Sequence, residues 1–172
     1  MSRKVLALAL AVALGAIGGA AVTARGGTTG SEAVAARLPT AEFLPLGLAK
    51  RAANAALAEC RSQGQRVAVT VIDREGVVIV QFRANGVGLA SVDGSRGKAY
   101  ASASFGQPSS ALGEAAKTNP GILQWPGFIV AAGGLPIQSG DGVVAGIGVG
   151  GAPSGLIDEA CAQAGVDALA AR

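Results

Sequence analysis

The chain has 172 residues, with 14 basic and 11 acidic side chains, two cysteines, no histidine and 3% aromatic residues. The near-balanced charge argues against the basic stripe that nucleic acid or an anionic membrane surface needs, and the shortage of aromatics argues against a stacking platform for single strands. The absence of histidine removes Ser-His-Asp and Cys-His nucleophile systems, His-ligated zinc and non-haem iron, a proximal-His haem and the commonest general base near neutral pH.

Arg3 and Lys4 precede an uncharged apolar stretch over residues 5–22, and Val22-Thr23-Ala24 places small residues where a leader is cut. This is the layout of a secretory signal peptide over residues 1–24. A retained span is the competing reading, since the stretch approaches the ~18 apolar residues of a candidate membrane helix. Its alanines and glycines make it a weak anchor. No cysteine stands near the cut to carry a lipid, and a single arginine does not make a twin-arginine signal. The expectation is export to a periplasmic or extracellular site, with no membrane association after cleavage. Residues 25–43, rich in Gly, Thr and Ala, read as a flexible linker. One domain over residues 44–172 remains, of a size that supports a real core.

Residues 44–62 show helical spacing, with Leu46, Ala49, Ala53, Ala56, Leu57 and Cys60 on one face and Gly64 as the stop. Residues 67–73 and 77–83 are β-branched runs around Arg74-Glu75-Gly76, a hairpin pattern in which Asp73 fixes the turn through its backbone. Residues 92–105 predict a helix despite Gly94 and Gly97, and residues 110–117 a shorter one. Residues 128–131 predict a strand, Gly133-Gly134-Leu135-Pro136-Ile137 a turn into another, and residues 142–149 the last. Ser154 caps a closing helix with Asp158 and Glu159 near its positive end and Ile157, Cys161, Ala164 and Ala168 facing inward. The hairpin-like grouping predicts an α+β fold, a central and mainly antiparallel five-stranded sheet flanked by helices.

The glycine run Gly146-Ile-Gly148-Val-Gly150-Gly151, set ahead of a helix, invites a phosphate-loop reading. No strand follows that helix, no Gly-Lys-Ser/Thr occurs, and Asp158 and Glu159 would repel phosphate. Packing is the better account: the glycines let the last strand and the closing helix approach closely. Arg83, Arg96 and Lys98 are the cations nearest the middle of the chain, and an arginine can hold a ligand carboxylate as a bidentate fork. Tyr100, the one tyrosine, is either a phenolate ligand for ferric haem or a hydrogen-bonded core residue. Phe82, Phe105, Trp125 and Phe128 either line a flat apolar pocket or fill the core. Cys60 and Cys161 are either bridged, as suits an exported protein, or two separate buried small side chains. The sequence leaves both open.

Five motifs then stand in order: Val71-Ile-Asp73-Arg-Glu-Gly76, Phe82-Arg83-Ala-Asn-Gly86-Val-Gly88, Lys98-Ala-Tyr100, Gly133-Gly134-Leu-Pro136-Ile, and Gly146 to Gly155 with Asp158-Glu159. Together they resemble the GlcG/HbpS family of haem-binding proteins, with extracellular, sensor-associated members nearest, over about Leu46 to Leu169. The resemblance implies a compact α+β domain, homo-oligomers, haem as cofactor, and a role in haem handling, iron-linked redox sensing or haem breakdown. It places the candidate cofactor contacts at Arg83, Lys98, Tyr100, Ser102 and Phe105, with Arg83 or Lys98 meeting the propionates and Tyr100 as the metal ligand.

The chain departs from the family pattern at Ala101, where members often carry threonine, and at Leu89-Ala90, where some carry histidine. Alanine neither ligates iron nor donates a side-chain hydrogen bond. Ser102 and Ser104 offer hydroxyls nearby, but one residue along a helix turns the side chain by about 100°. A second reading follows: a non-catalytic subunit or binding module that keeps the fold without haem and meets a sensor ectodomain or an exported oxidoreductase. An enzyme ranks last, for want of histidine and of a carboxylate pair.

Overall fold

A computed structural model describes residues 41–140 and 142–170. The expected leader, and the linker up to residue 40, lie outside the described residues. No described helix is long and apolar enough to cross a membrane.

Helix α1 (Leu46–Ser62) is alanine-rich, which favours helix, and ends two residues before Gly64, whose φ of +74° suits a reversal that glycine adopts without strain. Strands β1 (Ala68–Asp73) and β2 (Val78–Arg83) form the expected hairpin, pairing Ala68 with Arg83 and Thr70 with Gln81. Asp73 Oδ1 accepts from the backbone N–H of Glu75 (3.0 Å) and of Val77 (2.8 Å), closing the turn as its sequence position suggested. Helices α2 (Leu89–Phe105) and α3 (Ser109–Ala116) follow, then a 3₁₀ turn at Pro120–Gln124. Strands β3 (Gly134–Ser139) and β4 (Gly142–Gly150) and helix α4 (Gly155–Ala170) complete the domain. The Ser154 hydroxyl accepts from the Leu156 N–H at 3.3 Å, the expected N-cap.

The sheet has four strands in the order β2-β1-β4-β3, all antiparallel, not five. Residues 128–131, expected as a strand, run as irregular chain along α2. The Ile129 N–H donates to the Gly97 carbonyl at 3.2 Å, and Phe128 is drawn into an aromatic cluster away from the sheet.

Side-chain alternation divides the sheet into two faces. Val69 and Val71 of β1 pair with Val149 and Ile147 of β4 and point, fully buried, toward α1 and α4. Each such aliphatic contributes about 1.5–3 kcal/mol of burial. The two helices pack on each other and are joined by the Cys60–Cys161 disulfide, with Cα atoms 5.5 Å apart, which closes the alternative the sequence left open. Two details of the expected helix faces change. Leu46 is exposed, and α4 buries Asp158, Cys161, Ala162 and Gly165 with Ile157 packed partly buried against the same core, while Ala164 and Ala168 are not among its buried residues. Gly165 sets that face, because only a glycine lets α4 come down on Ile147 and the Ala52 carbonyl.

On the other face, Thr70 and Ile72 point toward α2, opposite Gly148 and Gly146. Gly146, Gly148 and Gly150 lie at alternate positions of β4, and a Cβ on any of them would meet backbone of α2 at Ala99, Ser95 or Ser91. The glycine run is therefore a packing device, as expected, but the helix it seats is the central α2 and not the closing α4.

Candidate functional site

Helix α2 is held from below by the glycine floor and from the side by a buried ion pair. Lys98, 7% exposed, donates from Nζ to Asp158 Oδ2 at 2.8 Å and to the Val149 carbonyl at 3.0 Å. Asp158 Oδ1 accepts from the Ala152 N–H at 3.0 Å. Glu159 accepts from the Ser110 hydroxyl and the Gly133 N–H, tying α3 and the start of β3 to the same helix end. The two carboxylates that would have repelled phosphate thus serve as clamps.

The opposite side of α2 is open. Asp93, Arg96 and Tyr100 follow one another at i, i+3 and i+7, a single stripe of the helix. With Glu75 and Gly76 of the hairpin turn and the Pro126–Ile129 loop they line a cleft of about 610 Å³, within the range of small-molecule sites. Two turn glycines position the Tyr100 ring. A Cβ on Gly76 (φ +85°) would come within 2.9 Å of its Cε2, and one on Gly127 (φ +80°) would touch its other edge. The ring meets Phe128 edge-on at 5.2 Å. Phe128 stacks on Trp125 at 5.6 Å, and Phe105 packs edge-on against both. This ridge stays substantially in solvent: Tyr100 is 38% exposed, Phe105 39% and Trp125 57%. A patch of adjoining aromatics left uncovered in this way marks a contact surface and not a core.

Of the residues the sequence put forward, Tyr100 and Phe105 come together in this ridge, with Trp125 and Phe128. Lys98 does not reach the cleft, because Asp158 and the Val149 carbonyl hold its ammonium inside the protein. Ser102 is sealed between α2 and β3, and its Oγ has no hydrogen-bond partner among the described residues. Arg83 stands exposed at the far end of β2, about 17 Å along the strand from Val78, which follows the turn that lines the cleft. Its guanidinium donates to the Val87 carbonyl at 3.3 Å. Phe82 packs on the α1/α4 side. The cation at the cleft is Arg96, which makes no ion pair among the described residues. Glu75 and Asp93 escaped the sequence reading. The helical stripe from Asp93 to Tyr100 was the signal that could have found Asp93 and ranked Arg96 above Arg83.

Residues 44–167 match the family described as "Haem degrading protein HbpS-like". The chain belongs to this HbpS-like family. Among solved structures, a crystal structure of HbpS is 37% identical with a TM-score of 0.75, the match covering 77% of this chain and 94% of that one. A Streptomyces reticuli HbpS with two glutamates replaced by aspartates is 33% identical with a TM-score of 0.74, covering 94% and 97%. A PduOC–haem complex shares the fold at 18% identity, with a TM-score of 0.68 and coverage of 74% and 95%. No curated protein matches the chain. The HbpS-like fold thus spans the described domain from α1 to α4, and the α+β architecture drawn from the motifs holds.

Proposed function

We propose that the chain is an exported haem-binding protein that takes the porphyrin at the cleft beside Tyr100. The observation that carries this reading is the half-exposed ridge of Tyr100, Phe128, Trp125 and Phe105 next to a ligand-sized cleft whose one cation, Arg96, has no ion-pair partner among the described residues. These residues fit the group. The aromatic rings offer apolar contact to a flat macrocycle, and Arg96 offers a planar fork to a propionate. Tyr100 offers a phenolic oxygen of the kind that ligates ferric haem. Bound haem would supply the redox-active iron, and the chain's part is to hold and orient it. Membership of a family described as haem-degrading, and a haem complex on the same fold, support the choice of ligand. The leader-like first residues and the disulfide support export to an oxidising compartment. Haem handling or redox sensing as a homo-oligomer is the role proposed from these.

Titrating the purified protein with haemin tests it: a Soret shift that saturates near one haem per chain is expected, and its absence at micromolar protein ends the proposal. Tyr100→Phe should change the ferric spectrum if the phenolate is the ligand, and an identical spectrum removes that role.

One observation favours the second reading, a haem-free binding module. Ser102 is fully buried and does not line the cleft, so its hydroxyl does not stand in there for the one missing at Ala101. Co-purification of a stoichiometric protein partner without a coloured cofactor would establish that reading.

A further inference from the structure

Tyr100, the one tyrosine of the chain, stands in a notch whose two walls are backbone. Its Cε2 and Cδ2 face Gly76 of the hairpin turn, where an added Cβ would lie 2.9 Å and 3.3 Å from them. Its Cδ1 and Cε1 face Gly127, where an added Cβ would lie at 3.4 Å and 3.6 Å. Both walls are pinned. The Asp73 carboxylate ties the turn, and the Gly76 N–H donates to the Asp73 carbonyl at 3.1 Å. The 126–129 loop lies directly on α2, since a Cβ on Gly97 would meet Ile129 Cγ1 at 2.7 Å and the Gly127 carbonyl at 3.0 Å. No side-chain hydrogen bond among the described residues involves the Tyr100 hydroxyl. The ring is held by its edges, and its oxygen keeps its full bonding capacity for a ligand in the cleft.

We infer, on the porphyrin reading above, that Gly76 is the positioning residue of the site. By lacking a side chain it lets the hairpin turn press Tyr100 against the Gly127 wall, which fixes where the phenolic oxygen stands for the ligand. A contact held ready beforehand strengthens binding, because less ordering is lost on association. A methyl at position 76 cannot be relieved by retreat of the ring, since Gly127 stands behind it. The half-exposed ring must swing out of the notch.

Because the tyrosine is alone in the sequence, isotope labelling at tyrosine Cζ gives an NMR signal from this residue and no other. In haem-free protein Gly76→Ala and Gly76→Asn should both shift that signal, and Gly64→Ala should leave it in place. Gly64 has a similar φ, +74° against +85°, but nothing within 4 Å of an added Cβ, so its variant carries the backbone strain without the ring contact. Asparagine tolerates a left-handed backbone better than alanine, so Gly76→Asn relieves the strain and keeps the Cβ. Both Gly76 variants should weaken haemin binding about tenfold, the order of one lost hydrogen bond, with Gly64→Ala unchanged. With Tyr100→Ala already in place, Gly76→Ala should weaken binding no further, since no ring is left to displace. An unmoved tyrosine signal, recovery of haemin affinity in Gly76→Asn, or an undiminished effect of Gly76→Ala in the Tyr100→Ala protein overturns the inference and leaves porphyrin binding standing. Failure of the folded wild-type protein to bind haemin overturns the porphyrin reading and the inference with it.

Discussion

The two faces of the sheet are built on opposite plans. Toward α1 and α4 the strands present Val69, Val71, Ile147 and Val149, large side chains that fill a layer, and a disulfide fastens the helices above it. Toward α2 strand β4 presents hydrogen atoms: Gly146, Gly148 and Gly150 bring helix and strand together backbone to backbone. Polar contacts supplement that face, with Thr70 hydrogen-bonded to Ser95 at 2.7 Å and Lys98 to Asp158. The first plan gains stability from apolar area. The second gains little area and instead fixes the distance and angle of one helix, the helix that carries Arg96 and Tyr100. Stability and positioning are thus assigned to different sides of one sheet.

Substitutions on each side can break this division. The largest expected effect is on the stapled face: Cys60→Ala with Cys161→Ala should lose about 4–5 kcal/mol, since the bridge closes a loop of 101 residues. Urea unfolding measures it, and a loss under ~1 kcal/mol would mean that packing alone holds α1 to α4. Next, Lys98→Met strands a buried carboxylate and should cost about 3–5 kcal/mol, most of it recovered when Asp158→Leu is added. No recovery in the double variant would mean that the pair's other contacts, to the Val149 carbonyl and the Ala152 N–H, matter more than its charges. Gly148→Ala pushes a methyl into the backbone of α2 and should cost about 1–3 kcal/mol while loosening ligand affinity. Loss of stability with affinity unchanged would separate the glycine floor from the site. The smallest change has the opposite sign. Gly47 in α1 has nothing within 4 Å of an added Cβ, so Gly47→Ala should stabilise by about 0.5–1 kcal/mol in the same assay.

The elements readable from sequence were those with strong local signals. The hairpin around Asp73, the Gly64 stop and the Ser154 cap are decided by residues within a few positions of one another. The 128–131 segment resembles a strand because its β-branched content is a local property, whereas its path is set by Gly97 and by Tyr100 and Phe105, some twenty to thirty residues away. Lys98 shows the same limit at the site. A cation near the centre of a chain looks available until the fold supplies Asp158, sixty residues on, as its partner. Tyr100 and Phe105 were legible because a lone tyrosine and a scarce phenylalanine on one helix stand out. Trp125 and Phe128 stand out by the same scarcity, whereas Glu75 reaches the cleft only through tertiary contact.

The disulfide also bears on the order of events when the chain is made. Cys161 lies beyond the last strand, so the covalent tie to α1 cannot form until every strand of the sheet has emerged. With two cysteines in the whole sequence, a single intrachain pairing exists and no wrong one has to be undone. Oxidation in this protein joins α1 to α4 in a chain whose strands have all emerged, needing an oxidant but no reshuffling.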